Sequence, residues 1–158
     1  MSNKIILLVV LLVTAVFISG CIYGNGDEPA PNNDLPDGFT YLGTHETYVE
    51  IGDTNMAAVE DIYRNKIGED IYVQVIESDN PDGLITMFKS HYKDANYEPF
   101  KDIRFNGHIA TQVKDYMVIN GTQEPRYTII WATENSLMIV GSSKNEKDVL
   151  DMAIATGS

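Results

Sequence analysis

Residues 101–117 read KDIRFNGHIATQVKDYM, and the Asn106-Gly107 pair near their centre decides the fold class. Asn-Gly tolerates the two positive-φ positions of a type I′ turn better than almost any other pair. Two strands that meet there must therefore run antiparallel with only two residues between them. The stretch predicts a tight hairpin of strands over 101–105 and 108–117.

The same grammar extends toward the C-terminus. A polar loop over Asn120–Pro125 leads into a strand at Tyr127–Thr133, and Glu134-Asn135 turns that strand into Leu137–Val140. A final helix is expected from Ser143, because Ser143 and Glu146 match a capping box. Its apolar face is Val149, Leu150, Ala153 and Ile154, and Gly157 is placed to end it.

Toward the N-terminus, Asn80-Pro81-Asp82-Gly83 opens another helix, with Asn80 as N-cap and Pro81 at the first helical position. Leu84, Met87, Phe88, His91, Tyr92 and Ala95 form its stripe at helical spacing. Ile71–Ile76 is β-branched and aromatic, a strand preceded by a Lys66–Asp70 turn. Residues 56–64 suit either a helix after Asp53-Thr54 or a strand pairing back on 71–76, and the strand is favoured. Short strands are expected at Phe39–Leu42 and Glu46–Ile51. Strands, helix, strands, helix, joined by tight hairpins, give an α+β fold: a single domain at 38–158 with two helices packed on one twisted, mainly antiparallel sheet.

The N-terminus has a different character. Lys4 precedes an uncharged, strongly apolar run, Ile5–Ile18, of signal-peptide length. Ile18-Ser19-Gly20-Cys21 resembles a lipobox, the motif at which a lipoprotein precursor is cleaved before a cysteine that carries lipid. That resemblance implies a signal peptide over 1–20 and lipidation of Cys21, with two or more acyl chains needed for lasting anchorage. An uncleaved membrane helix is the alternative reading, since a neutral stretch of about 20 residues suffices to span a bilayer. Either way the remainder is expected outside the cytoplasm, attached to the cell membrane. With Cys21 acylated, the mature domain would hold no thiol for a disulfide, so its stability would rest on its core. Residues 22–37 (IYGNGDEPAPNNDLPD) are rich in Gly, Asn, Asp and Pro and offer little to bury. They read as a flexible linker reaching about 20–25 Å as a coil.

The 158 residues include 23 acidic and 11 basic side chains, a formal charge of −12. Nucleic-acid binding is disfavoured, because it depends on Lys and Arg displacing counterions from phosphates. A polybasic grip on anionic lipid is disfavoured for the same reason.

Ile62-Tyr63-Arg64, Ile71–Ile76, Asn106–Thr111, Tyr127–Trp131 and the final helix with Met152-Ala153 resemble small archaeal-type surface lipoprotein domains. Their layout is similar to PsbP/Mog1-like sandwiches of sheet and helices. The resemblance covers 55–158 and implies a fold and a non-enzymatic binding or assembly role.

Catalytic motifs are not found. His45, His91 and His108 lie in three elements without ligand spacing, and His91 is expected on the apolar face of its helix, so no metal site is assigned. Ser78, Asn80, Asp82 and Gly83 fall short of a calcium loop, whose twelfth position would be Lys89 instead of a glutamate. No Gly-x-Ser-x-Gly or phosphate-cradling glycine loop occurs, and no cofactor is implied. Asn120-Gly121-Thr122 is an N-glycosylation sequon that serves equally as a turn. Nine tyrosines outnumber five phenylalanines. Trp131 is expected in the core, while Tyr63, Tyr72, Tyr116 and Tyr127 sit on strands where some must face outward as a ligand or partner surface. The expected function is a membrane-anchored, non-enzymatic module for protein interaction or envelope assembly, with an envelope protein as partner. The alternative is a lipoprotein that binds a small solute or cation for a membrane system. A flat apolar patch would favour the first, and an enclosed pocket lined by tyrosines and carboxylates the second.

Overall fold

The computed structural model describes residues 35–157. The signal segment, Cys21 and the linker as far as Asp34 lie outside the described residues. The elements are β1 (Thr40–Ile51), β2 (Thr54–Arg64), β3 (Asp70–Glu77), α1 (Pro81–Ser90), β4 (Phe100–Phe105), β5 (His108–Ile119), β6 (Thr122–Ala132), β7 (Ser136–Ser143) and α2 (Glu146–Thr156). The strands form one sheet in the order β1-β2-β3-β7-β6-β5-β4, with every pairing antiparallel. Two meanders, β1–β3 and β4–β7, are thus joined side by side at the β3–β7 seam. The expected α+β domain is what the chain adopts.

The two helices cover opposite faces. Successive residues of a strand point to opposite sides of the sheet. On β6, Ile129 and Trp131 pack with Val149, Met152 and Ala153 of α2, whereas Ile130 packs with Leu84 of α1. Register carries this division across the sheet: Val73 faces Val140, and Val140 faces Ile129, on the α2 side. Next to them, Ile139 and Ile130 pair on the α1 side. The central strands are therefore apolar on both faces, which accounts for the continuous apolar run Ile129–Ala132.

Turn chemistry fixes the hairpins. Asn106 and Gly107 have φ of +46° and +84°, and Asn120 and Gly121 have +50° and +79°, the signs that a type I′ turn requires. The polar loop expected over Asn120–Pro125 is instead a second two-residue turn followed by β6. Exposed strand residues such as Thr122 and Gln123 have loop-like polarity, and that hid the strand.

Three further expectations are corrected. Phe39–Leu42 and Glu46–Ile51 merge into one strand, β1, because a bulge at Gly43, with φ of +153°, absorbs the irregularity between them. Helix α1 ends at Ser90, so His91 is an exposed C-cap residue and not part of an apolar stripe. Helix α2 starts at Glu146 and is capped by Asn145, whose side chain accepts from Lys147 N. Ser143 instead closes β7, where its hydroxyl donates to Glu69 and accepts from Asn145 N at 3.0 Å. At α1 the expected cap is present: Asn80 Oδ1 accepts from Gly83 N at 3.1 Å, with Pro81 in the first turn. Residues 56–64 lie in strand β2, as favoured.

Candidate docking face

β1 is an edge strand of twelve residues whose strand partner among the described residues is β2. Its outer row of backbone donors and acceptors thus has no strand of the described residues beside it, a template onto which another strand can add. On the face that α2 covers farther in, Glu46, Val59 and Val75 lie in one cross-strand row. Tyr48 and Ala57 form the next, with Glu77 two residues beyond Val75 on the same face. Helix α2 packs on β6 and β7 and leaves these rows open. Tyr48 is 76% exposed and Val59 48% exposed. Together they line an open trough of about 690 Å³ with Glu46 and Glu77 at its rim. Apolar floor, acidic rim and free strand edge thus coincide on β1–β3.

The opposite face of the same strands is polar in one row. Glu60 lies between His45 and Gln74 in register. His45 Nε2 is 3.2 Å from Glu60 Oε1, and Gln74 donates to the other carboxylate oxygen. Glu60 is buried, and these two partners meet the need of a buried carboxylate for hydrogen bonds.

A smaller cleft of about 280 Å³ lies between the far end of β1 and the C-terminus of α1, lined by Glu50, Gly52, Phe88, His91, Tyr92 and Asp115. Asp115 accepts from the Tyr97 hydroxyl at 2.9 Å and from its neighbour Tyr116 N at 2.7 Å. Burial pushes the Tyr92 phenol up to about 12, with the Asp115 charge adding to the effect.

The four tyrosines named from the sequence do not share one surface. Tyr63 is fully buried in the α2-side core, against Tyr41 with ring centroids 5.4 Å apart, so it presents nothing to a partner. Its hydroxyl makes no hydrogen bond, and burial, reinforced by Asp61 and Tyr41, drives its pKa well above the ordinary tyrosine value. Tyr72 is exposed on the α1 side, opposite Tyr63. Tyr116 and Tyr127 lie on neighbouring strands and on the α2 side, where they pair with Pro125 and Lys114. Tyr127 packs against the core, while Tyr116 meets Tyr97 edge-on at 5.2 Å and has Lys114 Nζ 5.3 Å from its ring centroid. Asn120 lies exposed at the tip of the β5–β6 hairpin. Tyr48, the most exposed of the large apolar side chains, was missed. The available signal was the alternation Tyr48, Glu50 against Val49, Ile51 on a strand with a free edge.

Each histidine has its own surroundings. His108 Nε2 lies 2.9 Å from the Gly157 carbonyl, and its ring stands beside Phe105 and Trp131. His45 pairs with Glu60, and His91 borders the small cleft. Among the described residues, no group of three or more His, Cys, Asp or Glu side chains could hold a metal ion. Trp131 is fully buried, as expected.

Comparison of the chain with protein-family profiles, curated proteins and solved structures gives no match.

Proposed function

We propose that the chain is an extracytoplasmic lipoprotein, held to the cell membrane by lipid on Cys21, whose α+β domain is a non-enzymatic module for protein interaction or envelope assembly. The observation that carries this reading is the trough beside the open edge of β1. An extended segment of another envelope protein suits both features. Its backbone would continue the sheet at β1, and its alternate side chains would lie along Tyr48, Ala57 and Val59. Glu46 and Glu77 favour Lys or Arg on that segment. They disfavour a second copy of this chain, which carries the same acidic rim and a formal charge of −12. Helices on both faces of an antiparallel sheet also support a PsbP/Mog1-like layout, which is part of the same proposal.

The test is a photo-cross-linking residue at position 48 of the full chain in the membranes of its own host. One dominant protein adduct is expected, abolished by Val59→Asp and absent when the cross-linker is at Glu134. Equal adducts from both positions would refute the reading.

The small cleft keeps the alternative in play, because Tyr92, Glu50, His91 and Asp115 converge there on a space fit for a small cationic solute. Calorimetric titration with simple amines, comparing the wild type with Asp115→Asn, tests it.

A further inference from the structure

The β5–β6 hairpin outreaches its neighbours. β4 stops pairing at Phe100–Val113 and β7 at Tyr127–Ser143, but β5 and β6 continue to Ile119–Thr122. A two-stranded ribbon therefore projects about 15 Å past the sheet at the usual rise per residue. From Tyr116 to Gln123 none of its residues is charged, and Glu124, across from Met117, is the first charge on the returning strand. Met117 is 50% exposed and Val118 64% exposed, and Tyr116 is exposed as well. Two apolar side chains in succession on a ribbon face opposite ways, so neither face shields both.

The position of this tip gives it meaning. Arg126, at the base of the ribbon, pairs with Glu69 in the β2–β3 turn. That turn carries Ile67, which is 60% exposed. Its Lys66 side chain lies against Gly38, and Leu35 packs on the adjoining core. The segment that leads back to Cys21 thus joins the domain at the end from which the ribbon projects. Thirteen residues, 22–34, separate Cys21 from Leu35, and even fully extended they span at most about 45 Å.

We propose that this tip is a membrane foot: Tyr116, Met117, Val118 and Ile119 enter the interfacial zone of the bilayer to which the chain is tethered, and Ile67 makes a second contact. The inference rests on the lipid anchor at Cys21. Several features fit lipid. Beyond the Met117–Glu124 pair the tip has no charge to desolvate, and a tyrosine at the base of an apolar stretch suits the headgroup level. The tether keeps the bilayer at high effective concentration, so a few side chains suffice for contact. The foot would set the domain upright.

The experiment uses the full chain, purified from membranes and reconstituted in phosphatidylcholine vesicles with brominated acyl chains. An environment-sensitive fluorophore is attached through Val118→Cys, or through Glu134→Cys in the β6–β7 turn at the other end. Acylation leaves Cys21 unreactive, so each variant takes a single label. The expected result is blue-shifted emission, mostly quenched, at 118 and neither change at 134. Vesicle flotation of the unlabelled chain reports the anchor separately. A chain that floats but shows no quenching at 118 overturns the foot and leaves the anchor standing. A chain that does not float overturns both. A glycan found on Asn120 in the native protein also overturns the foot, because a sugar at the tip would hold it in water.

Discussion

The guanidinium of Arg126 on β6 reaches the carboxylate of Glu69, which belongs to the turn between β2 and β3, so an ion pair ties one meander to the other. Both side chains are largely buried, and Glu69 accepts further bonds from the Ser143 hydroxyl at 2.6 Å and from Lys144 N. Glu69→Gln is expected to cost about 2–3 kcal/mol, because it leaves a charged Arg126 without its counter-ion. The urea midpoint should fall with the slope unchanged. Adding Arg126→Met should restore most of the loss, since removing both charges ends the mismatch.

Ile129 and Ile130 are both fully buried, one in each core. Each mutation to alanine should cost about 2–4 kcal/mol through lost burial and the cavity left behind. Although the two are adjacent in sequence, their side chains share no packing cluster. The double variant should match the sum of the singles within about 0.5 kcal/mol. Denaturant unfolding of the three variants measures this.

Tyr97 is also pushed up to about 12, through burial and then its hydrogen bond to Asp115, and Tyr92 is held similarly high. A phenol that ionises less readily in the folded state than in the unfolded one favours folding while it stays protonated. The contribution is complete below pH 10, the ordinary tyrosine value, and disappears as pH rises through 12. Urea midpoints measured upward from pH 9 should fall across that window. In Asp115→Asn, phenolate absorbance should appear at lower pH for both tyrosines, though still above the ordinary value because burial persists.

The start of α2 separates two cap assignments. Asn145→Ala should cost about 1 kcal/mol, because its side chain satisfies Lys147 N. Glu146→Ala should change little, since Glu146 makes only a long, exposed pair with Lys101 at 3.8 Å. Thermal unfolding of the two single variants decides between them.

What could be read from sequence was local. Asn106-Gly107, Asn80-Pro81 and the β-branched run at Ile71–Ile76 each specify their own conformation, and each appears as expected. Residues 56–64 were ambiguous because β2 is half-buried on both faces: Tyr63 points to one core, Ala58 to the other, and Glu60 is a buried carboxylate among them. No single period describes such a strand. Ser143 and Asn145 both look like caps in one dimension. The choice depended on Glu69, distant in sequence, which engages Ser143. The site was less legible than the fold. The alternation around Tyr48 gives the face it lies on, but its exposure there follows from β1 being an edge and from where α2 stops. Burial of Tyr63 follows from its pairing with Tyr41 and Ile71.

The strand order has a consequence for how the chain matures. Residues 40–77 can form their meander as soon as they are synthesised, but β3 finds its second neighbour only in residues 136–143. Synthesis from the N-terminus therefore leaves the β3 edge unpaired while more than half of the domain is still to come. That edge is Tyr72 to Glu77, rich in β-branched residues and prone to meet another nascent copy. The longest wait in the life of this fold falls on its central seam, and a chaperone or a chain halted before β7 would be expected to act there.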